Sequence, residues 1–247
     1  MSDIDPNRVN VLVESGAIPH WYRPLLDAIS GPEIDDMTRF RAPQDEIVRH
    51  SSVLVLFGGA PAAPAGDELI TGGQPDVLLI QRALDMRSHA GQPAFPGGAQ
   101  DPTDAGPIAT ALREAQEETL LDPAGVVPVA TLPQMWIRPS GFVVTPVLGW
   151  WKEPSPVSAG DPAEVASVHR VPIPRLVEPN NRVQVSHPAG YIGSGFEVDD
   201  MLVWGFTGML LDRLIALAGW ERPWLDSSRT VPFDDGWRQP GVAAVDS

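Results

Sequence analysis

The stretch Gly97–Leu121, GGAQDPTDAGPIATALREAQEETLL, puts Glu114, Glu117 and Glu118 at positions i, i+3 and i+4 behind an arginine and a loop that starts on two glycines. Pro107 suits the first turn of a helix, and Asp122 followed by Pro123 suits its end, so the segment predicts a helix of about 14 residues. On that helix Ala111, Leu112 and Ala115 face inward and the glutamates face out. Three carboxylates within about 6 Å on one helix face repel each other by several tenths of a kcal/mol per pair. The pattern is unfavourable without a cation over it. Magnesium and manganese are the natural candidates, because both accept carboxylate oxygens and keep positions open for water and phosphate. The stretch therefore predicts phosphate chemistry.

Outside this helix, Val53–Phe57, Val77–Gln81, Val126–Leu132, Phe142–Trp151 and Glu164–Val171 read as strands between proline- and glycine-bearing turns. His20–Ile29 carries a short helical pattern. Met201–Leu217 carries a longer one, with Leu202, Phe206, Met209, Leu210, Leu214 and Leu217 as its apolar stripe. The chain of 247 residues has no internal repeat and suits one elaborated domain. We expect an N-terminal extension over 1–48, a central domain over 49–225 and a loosely ordered tail over 226–247.

The formal charge of −15 argues against binding to an extended nucleic acid by counterion release. An acidic protein that handles a phosphorylated small molecule must solve that repulsion locally, with metal ions and a few placed arginines. The absence of cysteine removes disulfides, thiolate catalysis and thiolate metal sites, and fits a reducing compartment. Neither a signal-peptide pattern nor an apolar run of about 20 residues is present, so no membrane association is expected and a cytoplasmic location is.

The helix and its loop resemble the Nudix box, a glycine, five residues, a glutamate, seven residues and then REUxEExGU, where U is a bulky aliphatic residue. Arg113, Glu114, Glu117 and Glu118 match its strongest positions. Gly98 lies one residue further upstream than the general spacing, Ala105 stands where the first glutamate is usual, and Leu120 replaces the late glycine. The segment Leu78–Gly98, LLIQRALDMRSHAGQPAFPGG, resembles the signature of the coenzyme A pyrophosphatase branch, with Ile80 in place of its threonine and Arg82, Ala83, Arg87, Gly91, Phe95, Pro96, Gly97 and Gly98 in register. The looser likeness runs over about residues 50–224.

That resemblance implies a Nudix-type α/β/α sandwich with a mixed, largely antiparallel sheet. It also implies a metal-dependent hydrolase that cleaves the diphosphate of coenzyme A or its derivatives to 3′,5′-ADP and (acyl-)4′-phosphopantetheine. Mg2+ or Mn2+ would be held by Glu114, Glu117, Glu118 and the Gly98 carbonyl. Arg113 would orient the glutamates, Gly97 and Gly98 would let the backbone approach closely, and Arg82 and Arg87 would grip phosphate or the coenzyme A moiety. Glu114 and Glu164 are both candidates for the general base. The glutamate missing at Ala105 implies either fewer bound ions or its replacement by Asp101 or Asp104 in the longer loop. His89 reads as incidental. Trp150, Trp151, Trp204, Trp220 and Trp224 read as core residues sooner than as an adenine platform. Two alternatives stay open: hydrolysis of another nucleoside diphosphate derivative such as ADP-ribose, and a Nudix-like binding module without turnover. A homodimer is a common habit of such folds.

Overall fold

The computed structural model describes residues 4–31, 48–59, 75–85, 89–137, 140–188, 190–224 and 229–233. In chain order these form β1 (Asn10–Val11), α1 (Arg23–Ile29), β2 (Arg49–Gly58), β3 (Asp76–Arg82), β4 (Pro93–Ala94), β5 (Gly97–Ala99) and α2 (Pro107–Thr119). Then follow β6 (Val126–Thr131), β7 (Met135–Ile137), β8 (Phe142–Trp151), β9 (Val165–Pro172), α3 (Ile173–Leu176), β10 (Arg182–Ser186), β11 (Ile192–Val198), β12 (Met201–Val203), α4 (Gly205–Leu217) and β13 (Arg229–Pro232).

Nine strands make the main sheet, with β1-β6-β8-β2-β3-β4 as its spine, β5 added to β2, β7 to β8 and β9 to β3. The centre is the parallel pair β2 and β8, in register from Arg49↔Phe142 to Phe57↔Trp150, and every other pairing in this sheet is antiparallel. Both faces of β2 are apolar, as a central strand requires. Leu54 and Leu56 join Leu78, Val147 and Trp151 under Ala111 and Ala115 of α2. On the other face Val55 and Phe57 join Leu79, Leu148 and a larger core beneath α1 and α4. The layers are thus helix, sheet, helix, the expected sandwich. The two alanines let α2 lie close on the sheet and bring Glu114 and Glu118 against β5.

Residues 18–29 pack within that same large core. Ile18, Trp21, Tyr22, Leu25, Leu26 and Ile29 are all buried, and Tyr22 and Trp220 both meet the Phe57 ring edge-on at 5.8 and 5.5 Å. Burying six such side chains at about 1.5–3 kcal/mol each offsets the cost of ordering a short helix that would not form alone. Burial also pushes the Tyr22 hydroxyl far above its ordinary pKa.

A second, four-stranded sheet, ordered β12-β11-β10-β13, was not expected from the sequence. Two glycines in β11 and a serine or glutamine beside the valines of β10 interrupt the apolar runs that mark a strand. The helical pattern expected from Met201 begins instead at Gly205, because Met201–Val203 pairs with β11 across a turn in which Asp199 and Asp200 take positive φ. Within the segment expected to be a loose tail, Arg229–Pro232 forms β13, parallel to β10. Arg182, buried between the rings of Phe196 and Trp224 at 4.4 and 4.1 Å, pairs with Asp212 and ties this sheet to α4. Trp150, Trp151, Trp220 and Trp224 are buried, as core residues should be.

Leu120 ends α2 in the left-handed conformation, φ 57°, with its N–H bonded to the Gln116 carbonyl. The chain keeps the glycine geometry at this cap and places a leucine there, 56% exposed. Leu120→Gly should therefore raise stability by about 0.5–1 kcal/mol, since the relief of backbone strain outweighs the extra freedom of the unfolded chain and little apolar burial is lost. Urea unfolding measures it; a midpoint at or below that of the wild type would mean that the cap is not strained.

Candidate functional site

The site lies where β3 splays away from β2 and leaves room for β5. Ser52 and Val53 of β2 pair with Gly98 and Gly97. A Cβ on Gly97 would strike the Ser52 carbonyl, and one on Gly98 would strike the Glu114 carboxylate. Only glycine permits that approach, which sets the backbone of the loop against the acidic face of α2.

Arg113 organises this face. Its Nε and Nη2 bind both carboxylate oxygens of Asp104 at 3.0 Å, a two-pronged pair. Nη1 reaches Glu114 at 2.8 Å and Glu117 at 2.9 Å, while Nη2 also donates to the Ala99 carbonyl at 3.1 Å. One cation thus touches three carboxylates and the loop. Asp104 in turn accepts from the Thr110 hydroxyl at 3.0 Å and from the Asp101 N–H at 2.9 Å. The Arg113 guanidinium holds the Asp104 carboxyl well below the usual range and is itself held charged. Asp104 therefore anchors Arg113 and is engaged as such, so the idea that it substitutes as a metal-ligating carboxylate does not fit its partners. Asp101 spends its carboxylate on the Thr103 N–H and hydroxyl, at 2.8 and 2.7 Å. The reason Ala105 can be exposed and uncharged is that the residue before it already holds the arginine.

The three glutamates differ, contrary to the expectation that all face solvent. Glu117 is exposed and Glu114 is half-buried against Gly98, but Glu118 is only 6% exposed and accepts the Gly97 N–H at 2.8 Å. Burial pushes its carboxyl up to about 7; the Gly97 hydrogen bond and the charge of Arg82 oppose this, while Glu114 and Glu164 add to it. Glu114 is also raised, first by burial and further by Glu117 and Glu164. A second loop closes the helix end. The N–H groups of Ser158 and Gly160 bind the carbonyls of Thr119 and Glu118 at 3.0 Å, and a Cβ on Gly160 would strike the Glu117 carbonyl. That loop leads to Glu164, whose carbonyl accepts the Ala83 N–H at 2.9 Å. Gly160 thus joins the loop of Glu164 to the helix, a role that one glycine among acidic and small loop residues does not announce.

Arg82 lies close enough to stabilise the Glu118 charge, and its buried Nε has no hydrogen-bond partner among the described residues. Arg87 lies outside the described residues. His89 is exposed and bonds Gln92 at 2.9 Å, consistent with an incidental role. Four hard oxygen donors, three carboxylates and the Gly98 carbonyl, fit a divalent cation by their chemistry. Among the described residues no three acidic or histidine side chains already converge on one point.

Comparison with known families matches residues 63–188, just over half of the chain, to the NUDIX domain. The chain belongs to the Nudix family. Relatives in Salmonella newport and Salmonella agona, each described as an uncharacterized Nudix hydrolase, NudL, are 39% identical to it over 153 residues, covering 59% of this chain and 77% of theirs. Among solved structures, the Nudix hydrolase RenU of M. smegmatis is 24% identical, with 51% of this chain and 72% of that one covered at a TM-score of 0.37. A MutT/nudix family protein of Enterococcus faecalis is 18% identical, with 83% and 73% covered at a TM-score of 0.41. The protein is a Nudix hydrolase, a family that takes nucleoside diphosphate derivatives and generally uses divalent metal ions. None of its described helices is long and apolar enough to cross a membrane.

The Glu118 carboxyl makes stability depend on pH. Its folded pKa of about 7 exceeds the ordinary glutamate value of about 4.3, so its protonated form favours the fold, and that contribution is lost as pH rises toward and through 7. In protein treated with a chelator, Glu118→Gln should keep the bond from Gly97 and be more stable than the wild type at pH 8, by up to about 3 kcal/mol. The gap should narrow to about 1 kcal/mol at pH 5 and close below about pH 4. Urea titrations at three pH values check it, and parallel profiles for the two proteins would contradict the assignment.

Proposed function

We propose that this Nudix hydrolase cleaves the diphosphate of coenzyme A or an acylated derivative, releasing 3′,5′-ADP and (acyl-)4′-phosphopantetheine. The supporting observation is the hydrogen bond from Gly97, near the end of the branch signature, to Glu118 in the acidic helix. The segment that resembles a coenzyme A recognition signature and the helix that resembles a metal box are therefore one site, and Arg82 of that segment bears on the same carboxylate.

Mg2+ or Mn2+ would be held by the Gly98 carbonyl, Glu114, Glu117 and Glu118. A divalent ion bound there supplies Lewis acidity to the diphosphate and lowers the pKa of the attacking water. The chain's own residues do the rest. Arg113 keeps Glu114 and Glu117 oriented and limits their repulsion, and Arg82 offers donors to a non-bridging phosphate oxygen. Glu164 is the better candidate for the general base. It is exposed, and its side chain has no hydrogen-bond or ion-pair partner among the described residues, whereas Glu114 is bound to Arg113 and packed on Gly98. Water attacks one phosphorus, Glu164 takes its proton, and the phosphoanhydride bond breaks with the bridging oxygen leaving on the other phosphomonoester, so that 3′,5′-ADP and (acyl-)4′-phosphopantetheine are the two products.

Incubation with coenzyme A, acyl-coenzyme A, ADP-ribose and dinucleoside polyphosphates in Mg2+ or Mn2+, with products weighed by mass spectrometry, tests the substrate. Coenzyme A compounds should be cleaved with the highest kcat/KM; preference for ADP-ribose would replace this reading with the other. Glu117→Gln should lower kcat at least about a hundredfold by removing a metal contact, and Glu164→Gln by about a hundredfold or more with little change in KM. Full turnover in either variant would remove that residue from the mechanism.

A further inference from the structure

Glu164 carries an exposed carboxylate on a main chain that is tied down on both sides. Its charge raises the carboxyls of Glu114 and Glu118, adding to the burial that moves each of them first, so it stands beside the acidic face of α2. Its N–H donates to the Asp161 carbonyl at 3.0 Å, and its own carbonyl accepts the Ala83 N–H at 2.9 Å. The Asp161 carbonyl also accepts the Val165 N–H at 2.9 Å. One backbone group of Glu164 is thus spent inside its own loop and the other on the residue that follows Arg82.

Two features outside the loop fix where this residue stands. On the sheet side, Gln81 of β3 is opposite Ser167 but Arg82 is opposite Val165, so Ala166 is passed over as a bulge in β9. The bulge draws Glu164 level with Ala83; regular pairing would put Val165 there and Glu164 one residue further on. On the helix side, the Gly160 N–H binds the Glu118 carbonyl at 3.0 Å, and a Cβ on Gly160 would strike the Glu117 carbonyl. Only Asp161, Pro162 and Ala163 span the gap between these two anchors. Asp161 shapes that span: its Oδ1 accepts the Ala163 N–H at 2.8 Å, and Pro162 fixes the next φ, an aspartate and proline pairing suited to a tight turn.

We infer that Asp161 is a positioning residue for the hydrolytic step: its carboxylate holds the turn over 161–164 closed between α2 and β3, and so sets the direction in which Glu164 presents its own carboxylate to the attacking water. This rests on the reading of Glu164 as the general base. Asp161 acts through Glu164, and its Oδ1 serves as a hydrogen-bond acceptor, so an amide oxygen at the same place can do the same work. A base displaced by a fraction of an ångström loses rate while the binding of the diphosphate is left intact.

The test measures kcat and KM for coenzyme A and for ADP-ribose, in Mg2+, in the wild type, Asp161→Ala, Asp161→Asn, Glu164→Gln and the double variant Asp161→Ala with Glu164→Gln. Asp161→Ala should lower kcat about tenfold or more with KM within about twofold, and Asp161→Asn should keep kcat within about threefold of the wild type. Once Glu164 is glutamine, Asp161→Ala should cost less than about a further twofold, because no base is left to position. A merely structural role would carry its full loss into the double variant. That outcome, an Asp161→Asn variant as slow as Asp161→Ala, or a wild-type kcat in Asp161→Ala beside a slow Glu164→Gln overturns the inference and leaves Glu164 as the base. Full turnover in Glu164→Gln, or a wild type inert toward both compounds, removes the base and this role together. The expected pattern obtained with ADP-ribose in a protein that spares coenzyme A upholds Asp161 and sinks the proposed substrate. Asp161 and Glu164 are both exposed, and circular dichroism matching the wild type confirms that the variants are folded.

Discussion

A single guanidinium holds the acidic face together. Helical geometry forces Glu114, Glu117 and Glu118 within reach of one another, and Gly98 and the sheet beneath take water away from two of them. Each removal of water makes the same repulsion larger, because the dielectric around the charges falls. Arg113 answers with a charge that never titrates in the physiological range and a fork that reaches Asp104, Glu114, Glu117 and the Ala99 carbonyl at once. It does not bond Glu118, which among the described residues accepts one backbone N–H and feels the charge of Arg82. That asymmetry gives the face its chemistry: two carboxylates already oriented and one buried carboxylate still short of positive charge.

Glycine supplies the closeness that this arrangement needs. Gly97 and Gly98 bring one loop onto the helix from the side of β5, and Gly160 brings another onto its C-terminal end. The second contact also satisfies carbonyls of Glu118 and Thr119 that a helix end would leave without donors. The same backbone contacts that cap the helix therefore help set where the chain passes Glu164 and enters β9 at Val165. Stability of the helix end and alignment of the site are one problem with one solution.

Much of the layout of the candidate site was legible in the sequence because it is carried by spacing. The i, i+3, i+4 glutamates, the preceding arginine and the two glycines need no tertiary information to be recognised. What escaped was set by contacts between distant segments. Asp104 reads as a spare acid until Arg113 is seen lying on it, and Glu118 reads as exposed until Gly97 closes over it. In the fold, long apolar runs such as Val53–Phe57 and Phe142–Trp151 identify buried strands unaided. The smaller sheet did not announce itself, since Gly193 and Gly195 leave β11 without the alternation that marks a strand, and β12 borrows residues whose spacing continues the stripe of α4. Helical periodicity ran through Met201–Val203 because pairing with β11, not local preference, decides their conformation.

The parallel union of β2 and β8 has a consequence for how the molecule comes into being. The two strands are adjacent in space, yet the whole of β3 to β7 and α2 lies between them in the chain. Closing so large a loop is entropically slow, and nothing local rewards it until both strands are present. During synthesis Arg49–Gly58 leaves the ribosome with one long apolar edge unmatched, and it stays so until Trp151 has followed. The acidic helix waits in the interval, its own docking surface still half built. Conditions that shorten that interval, or a chaperone that shields the edge meanwhile, would govern the yield of native protein more than the stability of the finished fold does.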